Sequence, residues 1–356
     1  MEGSGVIGDF KYAFHRGVLA EPVSTIPAFL FSEFQLIIKA TVCAISVGGA
    51  MEKGRTLPIT PFIFLWSTFI YCPLAHMVWS ETGFLSNLGV LDFPGGTPLH
   101  IFSGTTATAL SIYPSYPLFR SKRSFARTPS HLALHRPGNS LFQLLSLVTI
   151  WNSWLAFDAG ATLSFNFKSI MALCVTNLCA SGGAFTWICM TYYETGKWSL
   201  DSTFMGAISG LVLITPSAGF IDMPTASCFG IGGAVICRQA LRIKSTNLAQ
   251  RLRWVDNGDT FATHTVLAVS LGLLLLGYSH RRLLLPTAIA TYDGVTIIHG
   301  GVFFDDNTSQ LDVQLLEALI RSTWSFVGNY VLFALIDCVP GLEALAKESE
   351  SNHVST

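Results

Sequence analysis

Nine stretches of this chain are near the length and apolarity a helix needs to cross a bilayer, and they constrain the fold more than any other feature. A spanning helix takes about 20 mostly apolar residues. It must also satisfy its own backbone hydrogen bonds, because hydrocarbon offers no partners. The stretches are 27–50, 58–79, 98–119, 139–161, 168–191, 203–221, 225–243, 260–278 and 313–338. Half of the 356 residues are hydrophobic and 12% are charged, against about 25% charged in soluble domains. The expected fold class is therefore an all-α polytopic membrane protein with about nine spans. A formal net charge of −1 argues against nucleic acid as a partner. The eight cysteines (43, 72, 174, 179, 189, 228, 237 and 338) fall mostly in apolar runs and show no CxxC spacing. They read as small buried hydrophobes, with neither a zinc site nor a disulfide framework indicated.

Loop charges set the orientation. Residues 1–25 lack the basic start, apolar block and A-x-A site of a cleavable signal, so the first apolar segment is expected to direct insertion itself. With the N-terminus outside, the cytoplasmic side receives Lys53, Arg55, Arg120, Lys122, Arg123, Arg127, Arg136, Lys197, Arg238, Arg242, Lys244, Arg251 and Arg253. The outside receives only Lys11, Arg16, Lys168, Arg281 and Arg282. Basic residues favour the cytoplasmic side, which places the N-terminus outside and the C-terminus inside. The chain then divides into an external segment 1–26, a membrane domain 27–341 and a short cytoplasmic tail 342–356. Two cations fall within spans, Lys39 in the first and Arg321 in the last. A central cation costs about 2.5–3.5 kcal/mol on insertion scales. Arg321 is close enough to an end to snorkel, whereas Lys39 needs a polar cavity or a partner.

One motif occurs twice. The run Leu91-Asp92-Phe93-Pro94-Gly95-Gly96-Thr97-Pro98-Leu99-His100 leads into an apolar helix, and so does Asp256-Asn257-Gly258-Asp259-Thr260-Phe261-Ala262-Thr263-His264. In each, an Asp precedes a His by eight residues. Two such units in the two halves of a hydrophobic chain point to an internally repeated transporter with its path at the repeat interface. A histidine inside a bilayer is costly unless its ring finds a partner, so His100 and His264 are the leading candidates for chemistry. Neutral imidazoles lining a narrow pore could pass a hydrogen bond or a proton along a row of small polar substrates. The alternative is a pair of core histidines, each bonded to a backbone carbonyl. No third ligand stands at a zinc spacing.

Other polar and aromatic residues carry two readings each. Asp92 and Asp256 fit helix caps or turn braces, and Asp92, on the external side, also favours cations. Trp79 fits an interface anchor or a cation–π site. Phe157 is by default a packing aromatic. The GxxxG from Gly206 to Gly210 and the denser run from Gly230 to Ala234 allow close helix approach. No nucleophile–base set or phosphate loop is present, so neither an enzyme nor a cofactor is expected.

These runs, taken in order, carry a resemblance. His76-Met77-Val78-Trp79, LDFPGGTPLH, WLAFDAGA (Trp154 to Ala161), GAISGLVLITPSAGF (Gly206 to Phe220) and DTFATH stand in the order and at the spacing of the ammonium transporters, the Amt/Mep/Rh family. The likeness runs from about Phe34 to Gly341, and the runs from Val47 to Arg55 and from Gly196 to Ser199 look most like the fungal Mep-type branch. It implies an inverted-repeat helix bundle in a plasma membrane, assembled as a homotrimer with one narrow pore per subunit. It also implies ammonium recruitment at Trp79 with support from Asp92, a gate of two stacked Phe rings of which Phe157 is the second, and a path lined by twin histidines, here His100 and His264. The chain departs from the family pattern in several places. It begins where the third of eleven spans should be, Ile38 stands at the first gate Phe, Ala161 stands at a recruitment-site Ser, and the tail past Gly341 is short. The expectation is ammonium or ammonia transport; the alternative is a non-conducting sensor or a modulatory subunit of mixed trimers, or a truncated product.

Overall fold

The computed structural model describes residues 3–19, 21–49, 56–112, 139–252, 254, 256, 258–264 and 306–339. Each expected span contains helix where it is described. Helix α1 is Ala28–Gly48. Helix α2 (Thr56–Trp66) runs through a π turn (Ser67–Tyr71) into α3 (Cys72–Trp79), and α4 (Phe84–Asn87) follows. A second π turn (Thr97–Ile101) opens α5 (Phe102–Ile112). Next come α6 (Ser140–Gly160), α7 (Phe167–Thr195), α8 (Leu200–Ile214), α9 (Met223–Ala240), the short α10 (Asn247–Arg251) and α11 (Thr260–His264). Last is α12 (Thr308–Asp337), which starts earlier than the apolar run because its first turns are polar. Two short strands, β1 (Pro22–Val23) and β2 (Ile26–Pro27), form a hairpin just ahead of α1. The basic loop from Arg120 to Arg136, the lysine and arginines at 53, 55, 253, 281 and 282, the second part of the 260–278 span and the tail lie outside the described residues.

Side-chain caps fix where the middle helices begin. Asn139, Asn166, Ser199 and Asp222 each precede a helix and accept from one or two of its first free backbone N–H groups, which have no intrahelical partner. Helices α7, α8 and α9 then pack through glycines. A Cβ on Gly206 would lie 2.5 Å from the Gly183 carbonyl oxygen, and one on Gly210 would lie 2.6 Å from that of Cys179. The GxxxG of α8 therefore lets two backbones touch, as small residues do between helices in lipid.

The molecule is turned outward in polarity. Ile37, Phe64, Phe69, Leu141, Phe185 and Leu319 are all more than half exposed. Five described helices, counting Leu57–Asn87 as one, are long and apolar enough to cross a membrane. The cysteine expectation fails for the same reason. Only Cys179 and Cys237 are buried, while Cys72, Cys228 and Cys338 are exposed, because an apolar run in lipid has no need to face the protein interior. Helix α12 carries the complement: Gln314, Glu317, Arg321, Ser325 and Asn329, spaced three or four apart, are fully buried.

Candidate functional site

The duplicated motif is a duplicated local structure. Asp92 accepts from the backbone N–H of Gly96 at 2.6 Å and of Thr97 at 3.0 Å, and also from the Thr97 hydroxyl. Asp256 accepts from the N–H of Thr260 and of Phe261, both at 2.8 Å. In each unit the donors are the fourth and fifth residues after the Asp, so each carboxylate ties the helix start that carries its histidine. The turn-bracing reading of both aspartates thus describes their contacts. Gly95 adopts φ +107°, and the Trp79 ring lies against it where a Cβ would stand. Trp79 therefore packs on the Asp92 turn itself. Burial pushes the Asp256 carboxyl up to about 6, against the pull of Lys244 and its backbone donors.

The turns deliver two imidazoles to one point. His100 Nδ1 and His264 Nδ1 are 3.1 Å apart, with ring centroids 5.2 Å apart at 40°. His100 is 1% exposed, and its Nε2 has no hydrogen-bond partner among the described residues. The Trp154 ring lies flat on His100, centroids 4.9 Å apart and planes within 12°, and its Nε1 donates to Thr215 Oγ1 at 3.0 Å. A hydrogen bond between two Nδ1 atoms needs one donor and one acceptor. Two neutral rings must therefore adopt opposite tautomers, one protonated at Nδ1 and the other at Nε2. Ring nitrogens thus bond to each other here rather than to backbone carbonyls.

Two further aromatic rings stack on each other. The Phe157 ring stacks on Phe34, with centroids 6.2 Å apart and planes at 28°. Phe34 lies one turn before the buried Ile38 on α1, and both belong to the apolar cluster that includes Trp79, Leu99, Phe102 and Phe157. Sequence reading missed Phe34 and treated Trp154 only as part of a motif. Helical spacing held the signal for both: Phe34 is four residues before Ile38, and Trp154 is three before Phe157.

A sequence model of the Ammonium Transporter Family matches residues 1–355. The chain belongs to the ammonium transporter family. It is 32% identical over 353 residues to Ammonium transporter 1 of Schizosaccharomyces pombe, covering 98% of this chain and 67% of that relative. It is 31% identical over 344 residues to Ammonium transporter MEP2 of Saccharomyces cerevisiae, covering 96% and 66%. The chain thus spans about two thirds of the length of these curated relatives. The crystal structure of Candida albicans Mep2 superposes with a TM-score of 0.84 at 32% identity, over 98% of this chain and 73% of that one.

As a member of this family the chain is a multi-pass membrane protein. Its two intramembrane cations take different solutions. The snorkelling expected of Arg321 does not occur, because the side chain is fully buried. It donates through Nη1 to Thr97 Oγ1 at 2.5 Å and through Nη2 to the Leu74 carbonyl at 3.3 Å. Inward-facing acceptors outcompete the distant interface. Lys39 is half-buried on α1, near Cys43 and Cys72.

Proposed function

We propose that this ammonium transporter family member carries ammonium or ammonia across a plasma membrane through a narrow path that passes the His100–His264 pair. The observation that carries this reading is the 3.1 Å contact between the two Nδ1 atoms beneath Trp154. An ammonium ion cannot enter a dry aromatic constriction cheaply, since moving an ion into low dielectric costs several kcal/mol even after relaxation. Ammonia carries no such penalty. Trp79 offers a π face on the external side, where a cation is held at about 0.5–2 kcal/mol, and it packs on the turn that Asp92 braces. The stacked Phe34 and Phe157 rings form the gate, with Phe34 serving where Ile38 offers no ring. Beyond it, ammonia hydrogen-bonds to the imidazole nitrogens in turn, and the unpartnered Nε2 of His100 is a free site for that contact. Ammonium releases a proton to external water before the constriction, and ammonia takes a proton from water on the far side.

No chemistry on the substrate beyond that proton is needed, so the chain is not an enzyme. Nine spans, an external N-terminus and a homotrimeric or mixed-trimeric assembly complete the reading. The test is ammonium-limited growth of a transporter-deficient cell expressing this chain, with membrane insertion confirmed. Growth that disappears in His100→Ala supports a working pore. No growth despite good insertion rejects transport and favours the sensor or modulator role.

A further inference from the structure

The buried charges of α12 meet the turn that carries His100, and their hydrogens do not add up if every carboxyl is ionised. Glu317 and Arg321 are fully buried and one helical turn apart. Arg321 Nε lies 3.4 Å from Glu317 Oε1 yet makes no hydrogen bond. The contacts converge instead on Thr97. Its hydroxyl oxygen accepts from Arg321 Nη1, and its single hydrogen faces two acceptors, Asp92 and Glu317 Oε1 at 2.7 Å. One hydroxyl hydrogen cannot serve both carboxylates. Asp92 has two backbone N–H donors as well, whereas Glu317 Oε2 receives no hydrogen bond among the described residues, and the Glu317 carboxyl lies beside that of Asp92. Two carboxylates against one guanidinium would also leave a net buried charge, which the interior penalises heavily.

We propose that Glu317 and Arg321 are positioning residues for the His100 turn, acting through Thr97, in a neutral cluster where Asp92 and Arg321 are the charged pair and Glu317 holds a proton. A protonated Glu317 supplies the missing donor and cancels the surplus charge in one step. The electrostatic partner of Arg321 is then Asp92, across the helix interface, rather than its nearer neighbour on α12. Through Thr97 the cluster fixes the π turn Thr97–Ile101 and with it the direction of the His100 ring.

The test is a pair of double-mutant cycles on the full chain purified in detergent, read as melting temperatures. Glu317→Gln, which imitates a protonated Glu, is expected to stay within about 2 °C of the parent, and Arg321→Met to fall by about 6 °C or more. Asp92→Asn and Arg321→Met should be strongly non-additive together, and Glu317→Gln and Arg321→Met additive. If Arg321→Met does not fold, Arg321→Lys, which keeps the charge but not the fork, takes its place in both cycles. A Glu317→Gln loss as large as that of Arg321→Met overturns the proposal, as does coupling of Arg321 to Glu317 alone. For positioning, ammonium uptake by Arg321→Lys should fall at least fivefold in maximal rate with an unchanged half-saturating concentration. A shift in half-saturation alone overturns that role. This last readout rests on the transport reading: a parent chain that takes up no ammonium rejects transport, while the melting cycles still decide the charge assignment.

Discussion

His100 and His264 come from turns 164 residues apart in sequence and meet nitrogen to nitrogen at 3.1 Å. Each is placed by an Asp eight residues upstream that binds the backbone of its own helix start. Removing either ring leaves a nitrogen of the other without its partner, and for the buried His100 that loss is about 1–3 kcal/mol. His100→Ala and His264→Ala are each expected to lower ammonium uptake by about tenfold or more. The shared hydrogen bond adds a spectroscopic check. In nitrogen-15 histidine spectra at neutral pH, with the signals of His100 and His264 assigned by substitution, one of the two rings should be protonated at Nδ1 and the other at Nε2; the same tautomer in both would contradict the pairing.

Trp154 supports His100 from one face and is itself held by Thr215. Trp154→Phe keeps a flat ring but loses the donor, which costs about 1 kcal/mol. Trp154→Ala removes the platform and should cost about 3–5 kcal/mol. Thermal melting in detergent separates the two. Uptake should follow the same order, with Trp154→Ala the more damaged.

The Phe34–Phe157 stack predicts a division of labour on α1. Phe34→Ala should open the constriction and reduce discrimination between ammonium and potassium by about tenfold, the worth of roughly 1.4 kcal/mol of lost contact. Ile38→Ala, which removes no ring, should change selectivity less while still lowering stability by about 2–4 kcal/mol. Competition of potassium with ammonium uptake measures the first effect and melting the second. Equal selectivity loss in both variants would assign the gate to Ile38.

Much of this arrangement was legible in the sequence because the bilayer simplifies it. Runs of about 20 apolar residues have to be helices, and all nine expected spans contain helix where the structure describes them. The paired Asp and His were legible because an identical eight-residue spacing recurs in two halves. The partner of each ring was not, since pairing across 164 residues depends on how the two turns face each other. Trp154 and Phe34 stand at helical spacing from Phe157 and Ile38, but aromatic residues are frequent in membrane helices, and spacing alone does not mark which ring stacks on a histidine. Arg321 misled because its position along the span invites snorkelling. Only the buried stripe through Gln314, Glu317, Ser325 and Asn329, at the same helical spacing, reveals that this face of α12 points inward.

Asp256 predicts a pH dependence. Burial pushes its carboxyl up to about 6, above the ordinary value of about 3.9 in an unfolded chain. The folded protein therefore binds a proton there that the unfolded chain releases. The stabilisation is fully present below about pH 4 and is lost as the pH rises through about 6. Asp256→Asn should flatten the fall of melting temperature between about pH 4 and 6.5. Lys244→Ala, which removes an opposing cation, should move that fall to higher pH.

The most direct measurement is flux through the purified chain in proteoliposomes, using labelled methylammonium on the parent and on His100→Ala. Saturable uptake well above that of empty vesicles is expected in the parent, reduced about tenfold or more in the variant. Uptake by a correctly inserted parent no faster than empty vesicles, or equal uptake by parent and variant, would contradict a path past the paired histidines.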